Sequence, residues 1–288
     1  MAINILDAFN NEPKPLDFVI PGLLPGTVGA LIAPGATGKS YLALETVMAV
    51  ACDIPGGDLL DLQPKHTGHS VYLALEDPEP VIRRRLYAIG GHLPCDVRET
   101  MAERVHVEPM LGKQANLITP KDYDALARLA EGARLVVIDT LSRAHALDEN
   151  SNGDMAKVMS TLERLAAETG AAVVFTHHTS KAASFGEQTD HQHASRGASL
   201  LTDNARWAAS IVKMSSSEAE KYGVQETMRD MFVRFTVTKN NYGPPTPDMW
   251  YRRAEGGVLR RAVLDRKAAK KGGNSDLGLP KTAGNDDW

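Results

Sequence analysis

Residues 29–40 read Gly29-Ala30-Leu31-Ile32-Ala33-Pro34-Gly35-Ala36-Thr37-Gly38-Lys39-Ser40. Gly29 to Ile32 has the apolar character of the end of a short buried strand. Lys39 to Val50 carries Leu42, Ala43, Thr46, Val47 and Val50 on one helical stripe. A glycine-rich turn ending in Gly-Lys-Ser between a strand and a helix is the pattern of a phosphate-binding loop of the Walker A type. The backbone N–H groups of Gly35, Ala36, Thr37 and Gly38 would cradle phosphate oxygens at a helix N-terminus, where partial positive charge collects. Lys39 would reach the β- and γ-phosphates of ATP, the Ser40 hydroxyl would ligate Mg²⁺, and Tyr41 follows in the same nucleotide-binding turn. The first glycine position of the motif holds Ala33, and Gly35 and Gly38 remain to allow the tight turn.

A chain of 288 residues with 43% hydrophobic content can bury one sizeable core. A net charge of −4 advertises no nucleic-acid partner, so charge that meets DNA must be local, on loops. Cys52 and Cys95 lack metal-type spacing and read as reduced thiols. With no basic-then-apolar signal and no apolar run of bilayer length, the expectation is a soluble, cytoplasmic protein with no membrane partner. Residues 1–25, with Pro13 and Pro15, read as an N-terminal arm, extended or turn-rich, packed on its own body or on a neighbouring subunit. Residues 26–264 read as the folded domain, and 265–288 as a polar, glycine-rich, disordered tail.

Further along, Ser70 to Leu75 is a buried-strand run that ends on Glu76-Asp77-Pro78. Carboxylates at a strand's C-terminal end lie where α/β sheets place their chemistry, and strand alternation lets one of Glu76 and Asp77 face the phosphates. A helix from Pro78 carries Ile82, Leu86 and Ile89, with Arg83, Arg84 and Arg85 between them. Leu135-Val136-Val137-Ile138-Asp139 has the form of a Walker B strand, whose aspartate holds the Mg²⁺ shell opposite the serine of the phosphate loop. A loop from Ser142 to Gly153 precedes an amphipathic helix that Gly170 ends. Strand 172–176 then stops at His177-His178, of which His178 is favoured as a γ-phosphate contact. Thr179 to Ser199 reads as a second long loop, and His191 and His193 within it read as solvated rather than as metal ligands. A strand to about Met214, a short helix at 217–222, a strand at 231–238, the turn Lys239–Pro244 and a closing hairpin complete the domain. Strands alternating with helices argue for an α/β fold with a mostly parallel central sheet.

The order of parts resembles the RecA-like P-loop ATPase core, with C-terminal antiparallel strands. A narrower resemblance rests on Ala-Leu-Glu-Asp-Pro (74–78), Val-Ile-Asp-Thr-Leu (137–141), Phe-Thr-His-His-Thr-Ser-Lys (175–181), Ala-Ser-Arg-Gly-Ala-Ser (194–199), Asp-Asn-Ala-Arg-Trp (203–207) and Lys-Asn-Asn-Tyr-Gly (239–243). Together these resemble the RepA-type replicative helicases of broad-host-range plasmids, over nearly the whole chain. The resemblance implies a homohexameric ring that moves 5′→3′ on single-stranded DNA and opens forked duplex, with an origin-binding protein and a primase as further partners. It implies Glu76 as the catalytic base and Arg206 as an arginine finger reaching the next subunit's nucleotide. It further implies Lys239 as a γ-phosphate contact in trans, and Arg85 (with Arg84 as competitor) and Tyr242 as the pair that sandwiches the adenine. Arg143, Lys181 and Arg196, on the two long loops, are the candidates for DNA contact, although each alone reads as a solvated charge. Two other readings share the core: a RecA-like recombinase or clock-type ATPase, and an ATP-regulated assembly module without unwinding activity.

Overall fold

Runs such as Val28–Ala33 and Leu135–Asp139 have no polar face, so strands made from them must be covered on both sides. The computed structural model describes residues 2–113, 115–178 and 196–266, with side chains of 196–199 excepted. Its elements run α1 (Ile5–Asn10), β1 (Val28–Ala33), α2 (Lys39–Ala51), β2 (Ser70–Ala74), α3 (Glu79–Gly90), α4 (Cys95–Arg104), β3 (Val105–Pro109) and α5 (Pro120–Leu129). They continue β4 (Leu135–Asp139), α6 (Asn152–Thr169), β5 (Ala172–His178), α7 (Arg196–Asn204), β6 (Trp207–Lys213), α8 (Ser216–Tyr222), β7 (Phe232–Asn240), β8 (Met249–Arg253) and β9 (Leu259–Ala262). All nine strands join one sheet in the order β3-β2-β4-β5-β1-β6-β7-β8-β9. Strands β3 to β6 in that order are parallel; β6-β7-β8-β9 pair antiparallel.

The period-two alternation of strand side chains sorts the core into two layers. On one face Leu31, Ala33, Tyr72, Ala74, Val137 and Val174 meet Leu42, Val47 and Val50 of α2, with Ile89 of α3 and Val97 and Met101 of α4. On the other face Ala30, Ile32, Val136, Ile138 and Phe175 meet Met155, Val158, Leu162 and Leu165 of α6, with Tyr123 and Leu126 of α5. No helix among the described residues is long and apolar enough to cross a membrane.

Two local expectations are corrected, and one helix appears where the sequence suggested no element. Helix α4 occupies a polar stretch with only Val97 and Met101 buried, so it carries almost no periodic signal. Helix α7 begins at Arg196, inside what reads as a loop to Ser199, because Leu201 and Ala205 anchor its end in the core. In the leader, α1 is helical and no residue of it is buried. Residues 17–25 instead belong to the body: Val19 and Leu23 are fully buried, and Asp17 pairs with Arg134 at 2.6 Å. The expected tail lies outside the described residues from 267 onward.

Candidate nucleotide site

Strands β2, β4, β5 and β1 are successive neighbours in the sheet, so their C-terminal ends form one continuous edge. The loop after β1, Glu76 and Asp77 after β2, Asp139 at the end of β4 and His178 at the end of β5 all meet there. The loop after β1 turns through two left-handed positions, Ala36 at φ 60° and Gly38 at φ 97°. Gly35 is not one of them, so the turn relies on Ala36 where the sequence suggested Gly35. The Thr37 hydroxyl donates to Pro34 O (2.8 Å), and α2 starts at Lys39 with its first N–H groups free to face an anion. Ser40 stands in the first turn, half-buried.

Lys39 is almost wholly buried. Its Nζ lies 3.2 Å from His178 Nε2 and 4.0 Å from Asp139 Oδ1. Burial pushes this ammonium below its ordinary range, against the pull of Asp139, Glu76 and Asp77. Asp139 is buried too, and its two oxygens accept hydrogen bonds from the Tyr72 hydroxyl and the Thr176 hydroxyl, each at 2.5 Å. Burial first and the neighbouring Asp139 second push the Tyr72 phenol well up, so Tyr72 remains a donor. Tyr72 and Thr176 hold the Asp139 carboxylate at the strand end; neither was legible as a site residue, because each acts from a neighbouring strand.

The paired residues at 76–77 and 177–178 separate by strand geometry. Glu76 Oε2 lies 3.2 Å from His178 Nε2, whereas Asp77 is an ion-pair partner of Arg85 at 2.5 Å. His178 joins the phosphate-loop edge. His177 is instead buried, with no partner for Nδ1 among the described residues and its pKa pushed down to about 4, chiefly by burial. One nitrogen, His178 Nε2, thus stands within hydrogen-bond reach of both Lys39 and Glu76. Unprotonated, it accepts from Lys39; protonated, it donates to Glu76. Arg85, half-buried, stands 5.7 Å from the centre of the Tyr41 ring, and the Tyr41 hydroxyl donates to Gly256 O (2.5 Å). Arg84 is exposed.

Three further expected residues gather elsewhere. The Arg206 N–H donates to Val28 O (2.9 Å), at the start of β1. Lys239 Nζ donates to Asp203 O (2.6 Å) and Thr202 O (3.4 Å), at the end of α7. Burial lowers its pKa. Tyr242 sits on the next turn, where the Asn240 side chain accepts from the N–H groups of 242 and 243 (3.2 and 2.9 Å). The phosphate loop leaves the opposite end of β1, roughly 16 Å away along the strand. Within one chain, therefore, Arg206, Lys239 and Tyr242 are brought to one another and not to Lys39, and Tyr242 does not meet Arg85. Arg143 is exposed in the 3-10 turn 141–143 directly after β4. Arg196 opens α7, and Lys181 lies outside the described residues.

Residues 3–184 match the AAA domain family. The fold is similar to a solved structure described as an ATPase domain, 12% identical, covering 90% of this chain and 96% of that chain with a TM-score of 0.59. It is also similar to the RadB recombinase, 14% identical, covering 82% of this chain and 91% of that one with a TM-score of 0.53. At such identities the likeness is one of fold: a RecA-like parallel sheet continued by antiparallel strands. With a lysine-bearing phosphate loop and an aspartate-ended strand one strand apart, and the family match running over more than half its length, the chain belongs to the AAA domain family of P-loop ATPases.

Proposed function

We propose that this protein is an ATP-dependent replicative DNA helicase: a homohexameric ring that hydrolyses ATP between subunits, translocates 5′→3′ on single-stranded DNA and opens duplex during plasmid-type replication. One observation carries the reading. The phosphate loop with Glu76, Asp139 and His178 occupies one end of the sheet, while Arg206, Lys239 and Tyr242 cluster at the other. A complete site then needs two chains placed head to tail, an arrangement that gives a ring when its rotation closes. Supporting it, Ile3, Ile5, Leu6 and Phe9 around α1 are all more than 60% exposed, an apolar face suited to a neighbouring copy.

The donor set fits Mg²⁺: the Asp139 carboxylate, already oriented by Tyr72 and Thr176, and the Ser40 hydroxyl are hard oxygen ligands on facing elements. When bound, the ion neutralises charge on the β- and γ-phosphate oxygens. Lys39 then takes the phosphates as their counter-charge and leaves His178. Glu76 accepts a proton from the attacking water, in line with the γ-phosphate. His178, no longer an acceptor for Lys39, takes a proton from solvent at Nε2 and donates a hydrogen bond from it to Glu76, and so registers whether phosphate is present. Arg206 of an adjacent subunit supplies the positive charge that the transition state needs. Arg143 and Arg196, and Lys181 with them, are the DNA contacts in this reading; several subunits contributing a few cations each are compatible with an acidic chain.

The test is a forked-duplex assay with ATP and Mg²⁺, run beside sizing of the assembly. A fork with a 5′ single-stranded tail should open and one with only a 3′ tail should not. Hydrolysis without opening of either fork would leave the recombinase-like or assembly-module reading in its place.

A further inference from the structure

We propose that Arg253 is a further nucleotide-binding residue, one that contacts the polyphosphate from within the same chain. The inference rests on the phosphate-loop reading above and extends it to a residue far away in sequence. Arg253 ends β8, and its half-buried side chain crosses to the loop after β1, where Nη2 donates to Thr37 O at 2.5 Å. Its approach is close: a Cβ built on Gly38 would stand 2.8 Å from Nη1 and 3.2 Å from Nη2. Gly38 is favoured for its φ of 97°, and its missing Cβ leaves room for the guanidinium that lies against it.

What distinguishes Arg253 is its missing counter-ion. Other sheltered guanidinium groups of the chain are paired: Arg85 with Asp77 at 2.5 Å, Arg134 with Asp17 at 2.6 Å, and Arg234 with Glu218 at 3.0 Å and Asp248 at 2.9 Å. Among the described residues no carboxylate stands within ion-pair distance of Arg253. Burial lowers its pKa, against the pull of Asp230. Taking a guanidinium out of water and leaving it unpaired is costly. This one lies on the loop whose N–H groups and lysine would collect phosphate oxygens, and apart from the bond to Thr37 O its N–H donors have no carboxylate partner among the described residues. A planar fork with free donors matches a phosphate chain, and the bound nucleoside triphosphate would supply the counter-charge.

The contact to Thr37 O alone could be a strut for the loop, so the test separates charge from support. Equilibrium binding of a fluorescent ATP analogue and of the corresponding adenosine analogue is measured with Mg²⁺ over a range of salt, without DNA. The full-length wild type is compared with Arg253→Gln, Arg253→Lys and Lys39→Ala, and melting is followed in parallel. Glutamine removes the charge and, being shorter, the bond to Thr37 O as well, so melting reports the lost support and the salt dependence of triphosphate binding reports the lost charge. The expected result is a loss of triphosphate affinity of about tenfold or more in Arg253→Gln, a shallower salt dependence and unchanged adenosine binding. Arg253→Lys should regain part of the affinity, which decides the matter should the glutamine variant melt early. Wild-type triphosphate affinity and salt dependence in Arg253→Gln, with binding lost in Lys39→Ala, would overturn the proposal and leave the phosphate loop intact. Unchanged binding in both variants would overturn the phosphate-loop reading as well.

Discussion

Glu76 and Asp77 are adjacent carboxylates with the same local sequence environment, yet their partners differ in kind. Glu76 faces a histidine that also reaches Lys39, while Asp77 is committed to a guanidinium at 2.5 Å that stands beside the Tyr41 ring. A group that takes a proton from water must be aimed at the phosphates, and the Asp77 carboxylate is turned to Arg85 instead. Glu76→Gln should therefore lower the ATPase kcat by about 10²-fold or more while nucleotide binding survives. Asp77→Asn should keep kcat within a few-fold and raise KM for ATP, because Arg85 loses the carboxylate that orients it. Steady-state ATPase assays on the two variants decide this, and equal collapse of kcat in Asp77→Asn would reverse the assignment.

Between elements, the closing hairpin acts as a strap along α2. Positions 37, 41 and 45 are spaced four apart, hence on one side of the helix and its approach, and they meet Arg253, Gly256 and Leu259 in turn. The last clasp is unusual: Glu45 is buried, Oε1 accepts from the Leu259 N–H at 2.9 Å, and Oε2 has no partner among the described residues. Burial pushes its pKa up from 4.5 to about 8, only partly countered by the Leu259 N–H and Arg260. The folded chain then holds a proton at Glu45 that the unfolded chain has released, so stability contributed here is full below pH 4.5 and is lost as pH rises toward 8. Glu45→Gln keeps the acceptor without the titration. It should raise the melting temperature at pH 8 by several degrees, with the gain fading by pH 5, as followed by thermal melts across that range. A gain independent of pH would mean that Glu45 is ionised in the folded chain. Long-range pairings of this sort are what the sequence does not display. Strands β1, β2, β4 and β5 were legible because each apolar run stops at a chemically distinctive residue, Ala33-Pro34, Glu76, Asp139 or His178. Arg253, Tyr72 and Thr176 carry no local signal, since their partners are other strands' ends, and α4 and α7 were hidden because two or three buried positions do not make a period.

At the scale of the whole molecule, the sheet keeps the two groups of candidate site residues at opposite ends, and assembly is what would join them. Because no residue of α1 is buried, removing residues 1–16 should leave the melting temperature of the remaining chain within about a degree or two, as expected for exposed residues, while light scattering shows the assembly dissociating. Retained assembly would mean that the apolar face of α1 serves something else. A sharper test mixes two inactive proteins. In an assembly of Arg206→Ala chains every interface lacks the arginine, and in one of Lys39→Ala chains every interface lacks the lysine. In mixed assemblies, an interface formed by the intact Lys39 of one variant and the intact Arg206 of the other contains both residues. Random exchange at equal amounts makes about a quarter of head-to-tail interfaces complete, so ATPase activity should appear on mixing and peak near equal ratio. If Arg206 served its own chain's nucleotide, no mixture would contain a complete site, and activity would stay absent at every ratio; that outcome would remove the reason for placing hydrolysis between subunits.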